Sequence, residues 1–213
     1  MLREKAGCRH DHFIFDNGST DGTVEWLRAH SAQFKGIIHS PENIGISRGK
    51  NKIIDLIRRT GTYDFLVSFD NDCECVSGNV LERSVQAAME IKASYPHRNW
   101  MLSPNVKGLV RPPTRVKHLS IGGWNLGVVG IIGGLFRVEP AWIYNKFRFR
   151  EDLSRASGQD ENVCGWFRHH ANGTLVYLED FVVNHYETTT GQHRRYPKYF
   201  ERKWVEEKDG FRI

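Results

Sequence analysis

The chain has 213 residues, enough for one domain with a real core. An apolar share of 39% and a charged share of 26% place it among soluble globular proteins, and no stretch approaches the roughly 18 uncharged apolar residues of a membrane-spanning helix. The net charge of +5 and a sequence pI of about 9.1 favour anionic ligands such as phosphates, nucleic acid or membrane surfaces, without bearing on fold.

The start, Met1-Leu2-Arg3-Glu4-Lys5, carries charge but no apolar core of a secretory signal. His12-Phe13-Ile14-Phe15 reads as a short strand. It is ended by Asp16-Asn17-Gly18-Ser19-Thr20-Asp21-Gly22-Thr23, a run of turn formers and capping residues. A helix follows from Val24 to His30. The loop fits either a well-capped helix start or a nucleotide site in which Asp16 accepts from a base or ribose. Gly36-Ile37-Ile38-His39 is the next strand and Pro41 to Gly45 the next turn. Ile46 to Arg59 has helical spacing, stopped by Thr60-Gly61-Thr62. Lys50 and Arg48 sit in its first turns, where the helix dipole does not favour a cation.

Asp64 to Asp72 reads as a buried strand, Phe65-Leu66-Val67-Ser68-Phe69, that ends on two carboxylates. Asp70 and Asp72 stand two apart, on one side of an extended chain. In open α/β sheets ligands lie beyond the carboxyl ends of the strands. Two carboxylates there can seat a hard divalent cation that bridges to phosphates. They equally suit a polar turn, and this stretch alone favours neither reading. Cys73 and Cys75 form a C-x-C with no second ligand pair, which is weak evidence for zinc. Four cysteines at irregular spacing (Cys8, Cys73, Cys75 and Cys164) suit a reducing compartment rather than a disulfide scaffold.

Val80 to Ala93 is an amphipathic helix, and Trp100 to Pro104 a further strand. Residues 107–118 hold Lys107, Arg111, Arg115, Lys117 and His118 around Pro112-Pro113, and read as an exposed basic loop. Ile121 to Ile132 is apolar and glycine-rich. Gly133 to Val138 reads as a strand, and 140–147 as a short helix. Ser157 to Asn162 opens a helix that runs to His170. Thr174 to Leu178 and Phe181 to Val183 are strand-like, ending at Asn184-His185-Tyr186. From Gln192 to Lys208, basic residues alternate with Tyr196, Tyr199, Phe200 and Trp204. Such a segment can dock a polymer or fold back as a terminal helix. The succession of strand, loop and helix predicts an α/β fold with a mostly parallel central sheet flanked by helices. The expected division is a domain over 1–190 and a basic–aromatic extension over 191–213.

Taken in order, these pieces resemble the family-2 glycosyltransferases of the GT-A fold, a Rossmann-like single domain. Asp16 to Thr23 is similar to that family's strand-end signature. Asn43-Ile44-Gly45 with Lys50-Asn51 is similar to its N-x-G…(R/K)-N segment, and Asp70-Asn71-Asp72 to its DxD motif. Gly133-Gly134-Leu135-Phe136-Arg137 is similar to the segment before the acceptor region. Gly158-Gln159-Asp160-Glu161 resembles the acidic motif that opens a helix, and His185 follows a strand where the family often has a histidine. The ordered match runs from Phe13 to His185. Two departures stand out: Met1 to Gly7 reads as the tail of the helix after the family's usual first strand, so that either the strand lies outside the given sequence or another element is expected to fill its slot, and Gln159 stands where Glu is common.

The resemblance implies roles. Asp16 would hold the nucleobase; Asn43, Lys50 and Asn71 would line the donor site, Lys50 toward the phosphates. Asp70 would hold the ribose or the metal. Asp72 and His185 would bind Mn²⁺ or Mg²⁺ on the diphosphate. Asp160 would be the general base, with Glu161 as its alternative. Trp124, Gly133 and Gly134 would face the acceptor. One base and no second carboxylate as nucleophile fit inversion by single displacement. The implied donor is a nucleotide-diphosphate sugar, and the acceptor a glycan, a lipid or a modified DNA. Two other functions fit parts of the sequence: nucleic-acid binding through the basic stretches, alone or with glycosylation of modified bases, and an inactive transferase-like binding module. A cytoplasmic location is expected, or an intracellular one in a host if the source is viral.

Overall fold

β1 (Phe13–Asp16) and β2 (Gly36–His39) are short apolar runs joined through α1 (Thr23–Ala29), and they pair in parallel. This is the one βαβ step that the local pattern predicts in full. It belongs to a computed structural model of the protein that describes residues 3–109, 112–153 and 158–186. The chain divides into two compact units, and each is described by itself. Among the described residues, one comprises 10–62, 148–153 and 158–159, the other 3–9, 63–109, 112–147 and 160–186.

In the first unit, α2 (Ile46–Thr60) follows β2. Its inward face is Ser47, Gly49, Asn51 and Ile54, less apolar than an isoleucine repeat suggests; Ile46 is exposed. Gly49 is where the helix approaches Phe15 on β1. A β-carbon there would lie 2.7 Å from the ring. Alanine is favoured over glycine by about 1 kcal/mol in a helix, while overpacking costs about 1–3 kcal/mol. Gly49→Ala is therefore expected to lower the urea midpoint of unfolding, and a raised midpoint would mean the Phe15 ring yields freely. The start of α1 differs from the expected capping: its N-cap is Gly22, left-handed at φ 87°, with no side-chain cap. Asp21 instead accepts from the Thr23 amide and hydroxyl.

In the second unit, the strands are β3 (Phe65–Phe69), β4 (Cys73–Cys75), β5 (Asn99–Lys107), β6 (Lys117–Ile121), β7 (Trp124–Val129), β8 (Phe136–Pro140) and β9 (Gly173–His185). Among the described residues they form one seven-stranded sheet in the order β3-β8-β5-β9-β7-β6, with β4 beside β9. Only β5 and β9 pair in parallel; the other pairs are antiparallel. The α/β class stands, but the mostly parallel sheet does not. The reason lies in the links. Gly122 and Gly123, at φ 59° and 84°, turn β6 directly into β7, and a two-residue turn with positive φ can join only antiparallel strands.

Other expectations also change. β3 is an edge strand whose five residues are all half-buried, not a buried central one. The basic stretch 107–118 is flanked by β5 and β6. Its Arg115 turns inward, donating to Glu179 and Asn105 and lying over the Tyr177 ring. The two strand-like runs near the end are one strand, β9. The β5–β9 register shifts between Pro104 and Asn105, where proline has no amide for the ladder. Residues 141–145 form a 3₁₀ turn.

Helices α3 (Val80–Ser94) and α4 (Gln159–His170) bury Val80, Leu81, Ala87, Ala88, Ile91, Val163, Cys164 and Phe167. With Phe136, Phe181, Met101 and Val176 these make the core, each large apolar side chain contributing about 1.5–3 kcal/mol. Arg3–Lys5 is a 3₁₀ turn. It leads Ala6, fully buried, to the start of α3, where the Ala6 carbonyl accepts from the Glu82 amide. No helix among the described residues is long and apolar enough to cross a membrane. The expected boundary near residue 190 and the tail beyond it lie outside the described residues.

Candidate active site

Asp70 leaves the end of β3 exposed to solvent, and its amide donates to the Leu135 carbonyl at 2.9 Å. That bond ties the acidic turn to the glycine-rich loop before β8. Asn71 is exposed, and Asp72 is half-buried. β4 then pairs with the end of β9, Cys73 opposite His185. This register brings Asp72 beside His185, with Oδ2 3.1 Å from Nε2, and the Asp72 carbonyl accepts from the Tyr186 amide at 2.9 Å. The imidazole Nδ1 is buried without a hydrogen-bond partner among the described residues. Gly108 lies against the His185 carbonyl so closely that a β-carbon would meet it at 2.6 Å.

Burial, then the charges of Asp70 and Asp72, push the Cys73 thiol well above its ordinary range, and burial pushes Cys75 the same way. Among the described residues no three or more His, Cys, Asp or Glu side chains gather as a metal cage. The pair that does meet, one carboxylate and one imidazole, fits a divalent ion that takes its other ligands from phosphate and water.

A second cluster lies between β8 and α4. Arg137 is fully buried, as is Glu139 two residues on along the same strand face. Arg137 Nε donates to Glu139, which also accepts from the Tyr144 hydroxyl. Arg137 Nη1 donates to Asp160 Oδ1 at 2.8 Å and to the Ile132 carbonyl at 3.1 Å. Burial opposes the guanidinium charge, but the carboxylates of Glu139 and Asp160 outweigh it and hold its pKa well above the ordinary value. Cys164 from α4 grips Ile132 as well: its sulfur lies 3.4 Å from both the amide and the carbonyl. Burial keeps that thiol protonated, pushing it up to about 11. Asp160 is one-third exposed at the first turn of α4, and its Oδ2 lies 3.8 Å from where Gly133 would carry a β-carbon. Glu161 is exposed. Trp124 packs on Phe181 and donates to Glu90 on α3 at 2.7 Å.

The remaining predicted residues belong to the other unit. Asp16 is buried at the end of β1. Its Oδ1 accepts from the Ser19 amide at 3.2 Å, and Oδ2 lies 3.6 Å from His39 Nδ1 with no hydrogen bond among the described residues. Asn43 locks the loop, accepting from Asn17 and from the Gly45 amide. Gly18 lets the two loops touch, since a β-carbon would meet the Glu42 backbone at 2.6 Å. The Lys50 ammonium lies 5.3 Å from the centre of the Phe149 ring. Its neighbour Asn51 is buried and clamps the backbone of Phe149 through both its amide and its carbonyl.

A family model, glycosyl transferase family 2, matches residues 2–142. The chain belongs to that family. The match takes in Asp16, Asn43, Lys50, Asp70, Asn71, Asp72, Trp124, Gly133, Gly134 and Arg137; Asp160 and His185 lie beyond it. No curated protein matches the chain by sequence. Among solved structures, GalNAc-T7 with UDP, GalNAc and Mn²⁺ aligns at a TM-score of 0.58 and 10% identity, covering 85% of this chain. This chain spans 38% of that protein's length. That likeness establishes the GT-A fold for this family-2 member. The A197 protein of STIV aligns at a TM-score of 0.46 and 14% identity, over 85% of this chain and 87% of that one.

Glu139 and Tyr144 of the second cluster escaped the sequence reading, and Arg137 entered it only as the last residue of the Gly133–Arg137 segment, with no role of its own. A signal was present. Opposite charges two apart inside the apolar run Phe136-Arg137-Val138-Glu139 share one strand face, and such a pair inside a core strand is buried only when matched. Nothing local linked them to Asp160.

Proposed function

We propose that this chain moves a sugar from a nucleotide-diphosphate donor to an acceptor hydroxyl, with inversion by single displacement. Asp72 Oδ2 and His185 Nε2 would hold Mn²⁺ or Mg²⁺, a Lewis acid that offsets charge on the diphosphate leaving group. Asp160 removes the proton from the acceptor hydroxyl. The acceptor oxygen bonds to the anomeric carbon as the bond from that carbon to the phosphate oxygen breaks, and the nucleoside diphosphate leaves. Asp16 is the nucleobase acceptor, because its Oδ2 is a buried oxygen with no hydrogen-bond donor among the described residues. By the family motifs they match, Lys50 and Asp70-Asn71 are assigned to the donor, and Gly133 and Gly134 to the acceptor. The observation that carries this reading is the Asp72–His185 pair, set where β4 and β9 meet. Glycan, lipid and modified DNA all offer the required hydroxyl.

Thermal unfolding with UDP, GDP, CDP and dTDP, each with and without Mn²⁺, tests it. A ligand bound only by the native state stabilises by about 2.7 kcal/mol at a hundredfold excess over its dissociation constant. The expected result is a raised midpoint with one nucleotide that depends on the metal. No shift with any nucleotide would overturn the donor site.

A further inference from the structure

We propose that Arg137 is a positioning residue that ties Asp160 to the glycine loop before β8 and leaves one carboxylate oxygen, Oδ2, to receive the acceptor proton. The inference rests on Asp160 being the base.

A buried arginine here needs a reason. A closed Arg–Glu pair in a core is commonly no more stable than apolar residues of the same volume. In this chain the guanidinium does not stop at its pair. Nε is spent on Glu139, while Nη1 reaches the Ile132 carbonyl and Asp160 Oδ1. A planar fork holds its donors at fixed mutual angles. The group therefore sets the place of the carboxylate relative to the residue preceding Gly133. Its own orientation is set from behind, because Glu139 is gripped by the Tyr144 hydroxyl. The order of support runs from Tyr144 through Glu139 and Arg137 to Asp160. Exposure rises only at the last step: the side chains of Arg137 and Glu139 are 0% and 1% exposed and that of Asp160 is 33% exposed.

The two oxygens of Asp160 thereby become unequal. Oδ1 accepts from Arg137. Oδ2 lies over Gly133, where the absent side chain leaves the approach open. A base needs one free oxygen within hydrogen-bond reach of the proton it takes. Lysine keeps the charge, but its three donors sit on one compact ammonium at the end of a flexible stem, so it cannot span Glu139, Ile132 and Asp160 as the planar fork does.

The test uses the full chain as Arg137→Lys, as the charge-neutral pair Arg137→Met with Glu139→Gln, as Asp160→Asn, and as the pair combined with Asp160→Asn. The pair avoids leaving Glu139 buried and charged without a partner. The readouts are nucleoside diphosphate release from UDP-, GDP- and dTDP-sugars with a hydroxyl acceptor panel, and crystal structures of the first two variants. Each Arg137 variant is expected to lose about a hundredfold in kcat with donor KM unchanged. In the Asp160→Asn background the pair should cost less than about twofold more, because both changes act through one group. Additive losses would assign Arg137 a structural role only and overturn the proposal. Parental turnover by Asp160→Asn would instead overturn the base assignment. Whether or not turnover is found, the crystal structures decide the positioning: Asp160 is expected to leave its place over Gly133, and an unmoved Asp160 in both variants would overturn it.

Discussion

Asp72→Ala is expected to abolish the metal-dependent part of the nucleotide stabilisation and to lower turnover by about a thousandfold. The proposed divalent site has two protein ligands, Asp72 and His185, held together by the Cys73–His185 register. Loss of the only carboxylate of that pair leaves a neutral imidazole, a poor sole ligand for a hard cation that prefers oxygen. Metal stabilisation of a leaving group is worth several kcal/mol, and about 1.4 kcal/mol corresponds to each tenfold in rate. The fold should survive, because Asp72 is only half-buried and the strand pairing uses its backbone. Titration of Mn²⁺ into the nucleotide-bound variant, followed by the melting midpoint, checks this. An unchanged response would place the metal elsewhere. His185→Ala should show the same loss in smaller measure.

Asp160→Asn is expected to slow turnover by about 10²- to 10⁴-fold, the usual worth of a positioned general base. Nucleotide binding should be untouched. Asparagine keeps an oxygen for Arg137 Nη1, so the buried network retains its hydrogen bond while the proton acceptor is gone. The decisive measurement is the rate against the donor-induced midpoint shift in the same preparation. A variant that loses both has lost structure, and one that loses neither acquits Asp160. Glu161→Gln serves as the comparison, since Glu161 is exposed beside Asp160 and is the alternative base. It should leave the rate within a few-fold of the parent.

Local pattern carried much of the site to the page. Asp16 and Asp70 stand at or just past strand ends because apolar runs of strand length give way there to turn chemistry, and that is visible in any reading of the chain. The order of the motifs was enough to point to family 2, to which the chain belongs. Element types were legible for the same reason: side-chain periodicity is set by backbone geometry, residue by residue. Where the reading failed, the failures were of pairing rather than of propensity. β6 and β7 hid in a stretch read as basic loop and glycine-rich apolar run, because β6 is mostly exposed and Gly122, Gly123 and Gly127 interrupt the apolar pattern. β9 was split in two by Glu179 and Asp180, charges that its bulge accommodates through Arg115 and Asn125.

The sequence by itself determined the family, the positions of the acidic turns and the alternation of early strands and helices. The tertiary structure decided the direction of the sheet and the partners of each carboxylate. Asp72 meets His185 across 113 residues, and Asp160 meets Arg137 across 23. An apolar run reads alike whether its neighbour is parallel or antiparallel, and a carboxylate reads alike whether it faces water, a metal or a buried guanidinium. Register and burial distinguish these cases, and both are properties of contacts between distant segments.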